Sequence, residues 1–270
     1  MKCASMRALL TGASGGIGSA IAHELVEHGA AVLLVGRDEA GLQRLAETLG
    51  GSGERVQACA ADMANDAGRE QVAARAEAWG CNVLINNAGL GEFAFVDQQT
   101  DAGIERLFAI NAIAPMQLMR RLLGHFLSLP EAAVLNVGSV FGSLAYPGFA
   151  AYSASKFALR GYTEALRREV AGTRVNVHYL APRATRTAMN GSAVERMNAE
   201  LGVAMDAPDL VARAVRDLLE GGRSESVMGW PEKLFVRINA LLPRVVDGSL
   251  RKQLPVIRRH AQSAAAERSA

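Results

Sequence analysis

The sequence is short of the residues that build disulfide frameworks and metal sites. Its three cysteines, Cys3, Cys59 and Cys81, lie far apart and show no CxxC spacing, which argues against a cross-linked scaffold or a thiolate metal site and suits a reducing compartment. Five histidines, His23, His28, His125, His178 and His260, form no HExxH or similar ligand pair, so no metal is expected. A formal net charge of +2 over 270 residues offers no compositional support for nucleic-acid binding. No run of about 18 apolar residues is available to cross a bilayer. The lead before the first apolar strand holds Lys2 but lacks the long apolar region and small-residue cleavage site of a secretory signal. A cytoplasmic protein is expected. What the chain has in quantity is apolar residues, 50% of the total, enough to bury one large α/β core.

The stretch 134–159 carries the most chemistry. An apolar strand, Ala132 to Val137, ends at Gly138-Ser139, a loop containing Gly and Pro follows, and a helix from about Ala150 to Val170 opens with Tyr152 and Lys156. Residues four apart share a helix face. An ammonium beside the phenol would favour its ionised form and bring its pKa towards the working range, which suits proton transfer. Ser143, Ser153 and Ser155 are rival hydroxyls to Ser139; the first lies further into the loop, and the other two point in other directions of the helix than Tyr152.

The N-terminal part reads as a nucleotide site. The apolar run Met6 to Thr11 leads into Gly12-Ala13-Ser14-Gly15-Gly16-Ile17-Gly18, and a helical pattern follows from Ser19 to His28. Glycines at 12, 16 and 18 let the backbone approach a pyrophosphate, and the helix N-terminus behind them offers unpaired N–H groups. A second strand, Ala31 to Val35, ends in Gly36-Arg37-Asp38. Gly36 stands where an acid would hold an NAD ribose, whereas Arg37 offers a charged planar fork for a 2′-phosphate, so NADP (NADPH) is preferred over NAD. Asp38 is read as the N-cap of a helix over 39–49. A third strand, Arg55 to Ala60, delivers Asp62 and Met63 to the edge where ligands dock; Asp62 either accepts from the adenine amino group or caps a helix over 66–79. A fourth strand, Asn82 to Ile85, runs into Asn86-Asn87-Ala88-Gly89, which either ties that strand to the cofactor site or forms an ordinary turn.

Taken in order, Thr11-Gly12-xxx-Gly16-x-Gly18, Asn86-Asn87-Ala88-Gly89 and Tyr152-xxx-Lys156, with a serine thirteen positions before the tyrosine, resemble the short-chain dehydrogenase/reductase family over roughly the first 190 residues. The resemblance implies an α/β fold, a doubly wound parallel sheet (Rossmann-like) with helices on both faces, and hydride transfer between NADPH and a small-molecule carbonyl or alcohol substrate. Asn111, Ser139, Tyr152 and Lys156 would be catalytic: Ser139 polarises the carbonyl, Tyr152 donates the proton, Lys156 holds the nicotinamide ribose, and Asn111, on a long helix from Ala102 to Phe126, holds a water that links the lysine to solvent. Gly12, Ser14, Gly16, Ile17, Gly18, Arg37, Asp62, Met63, Asn87, Ala88, Gly89, Pro182 and Thr187 would contact the cofactor, together with Tyr152 and Lys156. A 3-oxoacyl thioester reductase would share all of these residues, and a non-catalytic NADPH-sensing regulator is the reading from another class.

After a sixth strand, Arg174 to Leu180, the family pattern Pro-Gly is met by Pro182-Arg183, and Arg183 or Arg186 is a candidate for an anionic group on substrate or cofactor. Residues 188–205 resemble a substrate lid, a helix follows over 207–220, and an edge strand is expected over 224–228. A first unit is therefore read as 1–229, and 230–270 as a basic amphipathic extension, disordered after about Ala261. Lys233, Arg237, Arg244, Arg251, Lys252, Arg258, Arg259 and Arg268 stand there against Glu232, Asp247 and Glu267. Such a stretch could pack on its own domain, cover a partner subunit in a homo-oligomer, or rest on an anionic membrane surface.

Overall fold

The computed structural model describes residues 1–51 and 53–269. Seven strands form one sheet: β1 (Arg7–Thr11), β2 (Ala31–Gly36), β3 (Val56–Ala60), β4 (Val83–Asn86), β5 (Ala132–Val137), β6 (Val175–Ala181) and β7 (Glu225–Val227). Their order is β3-β2-β1-β4-β5-β6-β7 and every pairing is parallel. The central strands are apolar on both faces, as strands covered twice must be. In β1, Ala8 and Leu10 face one helical layer while Leu9 faces the other, the period-two consequence of the pleat.

One layer comprises α1 (Gly16–Glu27), α2 (Glu39–Thr48) and α8 (Pro208–Gly221), with Ile21, Leu25, Leu42 and Val215 buried against the sheet. The other comprises α3 (Asp66–Ala78), α4 (Asp101–Phe108), α5 (Ala114–Ser128) and α6 (Ala150–Glu169), burying Val72, Leu118, Leu122 and Leu166. The chain winds outward from β1 to β3 and then returns to β4 on the other side of β1. That reversal opens a crevice at the carboxyl ends of β1 and β4, where such sheets bind ligands.

Four local features differ from the sequence expectations. Helix α1 begins at Gly16 rather than Ser19, so the glycine turn itself forms the helix N-terminus. The expected single helix over 102–126 is interrupted by a π-turn at Ala109–Ile113, centred on Asn111. Asp62 does not cap α3; Asn65 does, accepting from Gly68 N, while Asp62 Oδ1 accepts from Ala64 N at 3.0 Å in the turn after β3. Finally, α10 (Pro243–Ser269) continues through the segment expected to be disordered, because Ile257 and Ala261 are fully buried.

A third, smaller core explains that last point. It joins Phe93 and Phe149 to Ala193 and Met197 of α7 (Ser192–Glu200) and to Ile257 and Ala261 of α10. Polar contacts reinforce it: His260 meets Glu200, Arg259 pairs with the same carboxylate, and Arg196 pairs with Glu267 at 2.6 Å. The lid and the inner face of the extension thus form one structure, and α9 (Glu232–Leu241) between them places Glu232 and Phe235 on the cavity and Leu241 in solvent.

Candidate active site

At the end of β1, Gly12 adopts φ +66°, and a Cβ on it would come within 2.8 Å of Ala88 Cα. A Cβ on Gly18 would lie 2.0 Å from the Gly12 carbonyl oxygen. These two positions therefore require glycine, and the close approach they permit leaves the N-terminal N–H groups of α1 open to an anion. Thr11, which the sequence analysis did not assign a role, locks this turn to β4: its Oγ1 accepts from Asn87 N and Ala88 N at 3.0 Å each. Asn87 Nδ2 in turn donates to Thr11 O and Gly12 O. The Asn86-Asn87-Ala88-Gly89 segment is thus a brace for the glycine turn.

Beside it runs a buried polar chain with no clear signal in the sequence. Asn86 Nδ2 donates to Asn136 Oδ1 at 2.8 Å, Asn136 Nδ2 donates to Thr163 Oγ1 at 2.8 Å, and Thr163 donates to Leu159 O. Every member is satisfied, so the chain ties β4, β5 and α6 in one register at little desolvation cost. Strand β5 and helix α6 are the two elements that carry the reactive groups.

Ser139 follows β5 in extended conformation, and its Oγ accepts from Phe141 N at 3.1 Å. The loop there is shaped from below by Tyr179 of β6, since a Cβ on Gly138 or Gly142 would come within 2.1 or 2.5 Å of the Tyr179 hydroxyl. Helix α6 brings Tyr152 and Lys156 to the same cleft as Ser139. The rival hydroxyls are engaged elsewhere or buried: Ser143 accepts from Arg160, Ser155 donates to Tyr152 O, and Ser153 is buried away from the cleft. Lys156 Nζ donates to Val137 O at 3.1 Å.

Burial pushes the Lys156 ammonium down to about 8. Burial also raises the Tyr152 phenol, with a hydrogen bond to Ser139 opposing it. The expected lowering by the lysine does not appear: Lys156 Nζ lies 5.9 Å from the Tyr152 ring centroid, and burial is the leading influence on the phenol. Tyr152 therefore stays protonated at neutral pH, the state a proton donor needs.

Asn111 is fully buried behind Lys156. Its amide donates to Leu90 O and to Ser155 Oγ, and its Oδ1 accepts from Leu90 N at 2.8 Å. A Cβ on Gly89 would sit 3.4 Å from Asn111 Oδ1 and 3.5 Å from Lys156 Nζ, so Gly89 lets the two approach. All the expected site residues except Asn111 line one continuous cavity of about 1150 Å³. That exceeds the roughly 300–1,000 Å³ of a pocket for one small molecule, and it spans Arg37 at one end and the lid at the other.

The two loop arginines already have partners within the protein, although Arg183 lines the cleft. Arg183 Nη2 donates to Asp206 Oδ1 at 2.7 Å and pairs with Glu232, while Arg186 donates to Met205 O. No residue other than glycine has positive φ among those described, so Arg183 needs no backbone freedom that glycine alone provides. Thr187 closes over the glycine turn, its Cγ2 3.0 Å from where a Gly16 Cβ would stand.

The far end of the cavity is aromatic and aliphatic. Phe141 stacks on Tyr146 with centroids 5.1 Å apart, and both Phe141 and Phe149 meet the Tyr152 ring edge-on. Met189, Val194, Met197, Phe235 and Leu250 complete the wall. Tyr146 Oη donates to Gln253 Oε1 at 2.7 Å, which links the catalytic loop to α10. The sequence analysis did not anticipate the part played by α10.

Known proteins share this fold. Residues 6–198 match the short chain dehydrogenase family. The ketoacyl reductase HetN of Nostoc is 30% identical over 251 residues, covering 88% of this chain and 86% of the relative. A short-chain dehydrogenase from Burkholderia cenocepacia, solved in complex with NADP, superposes with a TM-score of 0.78 at 28% identity, covering 93% of this chain and 99% of the other. A short-chain dehydrogenase/reductase from Burkholderia phymatum, solved with NAD, superposes with a TM-score of 0.77 at 25% identity, covering 86% and 92%. With its glycine turn, its doubly wound sheet and this match over most of its length, the chain belongs to the short-chain dehydrogenase family of oxidoreductases.

Proposed function

We propose that the protein is an NADPH-dependent reductase of apolar carbonyl compounds, reversible towards alcohol oxidation. The observation that carries this reading is the shared cavity, with Ser139, Tyr152 and Lys156 between an arginine-ended nucleotide half and an apolar half. The cradle fits a phosphorylated dinucleotide, because Gly12 and Gly18 have no room for a side chain. The cofactor would be held by Gly12, Ser14, Gly16, Ile17 and Gly18 at its phosphates, by Arg37 at a ribose 2′-phosphate, by Asp62 and Met63 near the adenine, and by Asn87, Ala88, Gly89, Pro182 and Thr187 towards the nicotinamide. NADP is favoured over NAD because Gly36 supplies no acid and Asp38 is occupied in capping α2 through Gly41 N at 3.0 Å. Solved neighbours hold either cofactor, NADP in the B. cenocepacia protein and NAD in that of B. phymatum, so the preference rests on Arg37 and Gly36.

The site would hold NADPH as the source of the hydride for the carbonyl carbon. Ser139 Oγ orients the carbonyl oxygen, and Tyr152 gives that oxygen its phenolic proton as negative charge develops on it. Lys156 is available to donate to ribose hydroxyls, and its ammonium stabilises the tyrosinate that remains. The Asn111 side chain bonds Leu90 and Ser155, so it would hold a water that returns the proton only through the remaining lone pair of its oxygen. Alcohol oxidation runs the same groups in reverse and is favoured at higher pH, because it releases a proton.

A 3-oxoacyl thioester reductase is the second reading, favoured by the name of the Nostoc relative. Both are tested by following NADPH and NADH oxidation over ketones, aldehydes, quinones and 3-oxoacyl thioesters. Turnover with NADPH on apolar ketones, lost in Tyr152→Phe, is expected. Preference for thioesters would select the second reading, and tight NADPH binding without any turnover would select an NADPH-sensing regulator.

A further inference from the structure

Helix α9 and the first turns of α10 carry an apolar face that nothing among the described residues covers. Leu241 is 81% exposed, Trp230 71%, Val245 61% and Leu242 60%, with Leu234 and Phe235 also open to solvent. Scattered exposed leucines are ordinary, but six such residues on adjoining turns form a contiguous patch, which marks an interaction surface. Helical spacing sets its geometry. Lys233, Arg237 and Leu241 follow one another at i, i+4, i+8, and Leu234 and Ile238 form the neighbouring row. On α10, Arg244, Val245, Arg251 and Lys252 fall on one side.

The charges decide what this face fits. Lys233, Arg237, Arg244, Arg251 and Lys252 are exposed and have no carboxylate partner among the described residues. The acids nearby are Glu232, held by Arg183, and Asp247. Apolar side chains ringed by unpaired cations, with an exposed tryptophan at the margin, match an interface that is apolar below and anionic above. A second copy of the chain matches it poorly, because a two-fold contact sets a patch against itself and would bring these cations together. The patch is also continuous with the cavity: Trp230, Phe235 and Val246 line its wall.

We propose that the outer face of α9 and the start of α10 dock this protein on an anionic lipid bilayer, with the mouth of the cavity beside the membrane surface. No helix among the described residues is long and apolar enough to span a bilayer, so the contact is interfacial. The proposal does not depend on the carbonyl-reductase reading, because vesicle binding is read without turnover.

The test is co-sedimentation of the full chain with vesicles of phosphatidylcholine alone and of phosphatidylcholine mixed with phosphatidylglycerol. Binding to the mixed vesicles is expected, together with a blue shift of Trp230 emission; Trp79 is buried, and Trp230→Phe identifies the source. Each cation near an anionic surface contributes about fivefold to binding, so Lys233→Gln with Arg237→Gln should weaken association by about 25-fold. Leu241→Ser with Val245→Ser should weaken it by about tenfold or more. Equal binding to both vesicle types would overturn the proposal, as would no binding to either. So would a concentration-dependent dimer in sedimentation velocity that Leu241→Ser dissolves while vesicle binding is absent, which would assign the face to a second copy.

Discussion

The two halves of the cavity are built by different means. The nucleotide half is made of backbone, with glycines whose missing side chains let β1, β4 and α1 come together and a lattice of bonds from Thr11 and Asn87 that holds them. The substrate half is made of side chains contributed by separate stretches, among them the segments after β4 and β5, the lid, α9 and α10. A site made of backbone tolerates almost no substitution, because a Cβ has nowhere to go. One made of apolar side chains can be repacked and so admits variation in what it binds.

That contrast can be broken at its centre by Tyr152→Phe, which should lower NADPH-dependent turnover by about 10³-fold while leaving the melting temperature nearly unchanged. A second substitution separates stability from activity. Lys156→Met should abolish turnover yet raise stability at pH 7, because it removes a buried charge whose pKa is lowered from 10.5 to about 8, a gain reduced by the lost bond to Val137 O. The sign follows from linkage. Below pH 8 the lysine is protonated in both folded and unfolded chains and the folded state carries the full cost. Between about pH 8 and 10.5 the folded protein sheds its proton first, so the wild type gains stability as pH rises and the difference from Lys156→Met shrinks. Denaturant titrations from pH 7 to 10 measure this directly, and a gap that widened with pH would refute the assignment.

On the backbone side, Gly18→Ala places a Cβ 2.0 Å from the Gly12 carbonyl and should cost about 2–3 kcal/mol of stability together with cofactor affinity. Arg37→Ala, at an exposed position in the same half, should leave stability alone and raise the KM for NADPH by about 10–100-fold with little change for NADH. The smallest effect is expected on the side-chain wall. Gln253→Leu removes the bond to Tyr146 and should change the KM for carbonyl substrates by about fivefold, with the KM for NADPH unaltered. If Gln253→Leu moved the cofactor constant instead, the division between the halves would not hold.

Much of this was legible in the chain. The seven strands stand within a residue or two of where apolar runs and glycine breaks predict them, because strands covered on both faces must be apolar throughout. Ser139, Tyr152 and Lys156 do meet in one cleft, since i, i+4 spacing on a helix and the end of an adjacent strand leave few alternatives. Elsewhere local patterns misled. The helix expected over 102–126 reads as unbroken because a π-turn adds one residue without changing composition. The end after Ala261 reads as disordered because Ala and Ser contribute little locally, yet α10 is held there by contacts with α7 that lie some 60 residues away in sequence. Arg183 reads as a free cation because its partners, Asp206 and Glu232, are distant in the chain.

By itself, then, the sequence determined the order of strands and helices, the glycine turn that forbids side chains, and the pairing of a phenol with an amine one helical turn apart. These follow from short-range geometry, which is written in neighbouring residues. Only the tertiary structure decided that burial leads in setting the Tyr152 phenol, that Thr11 and the Asn86–Asn136–Thr163 chain hold the reactive elements in register, and that α10 closes the substrate wall while the end of α9 is left exposed. Desolvation, register and enclosure depend on which distant surfaces meet, and only the folded chain brings those surfaces together.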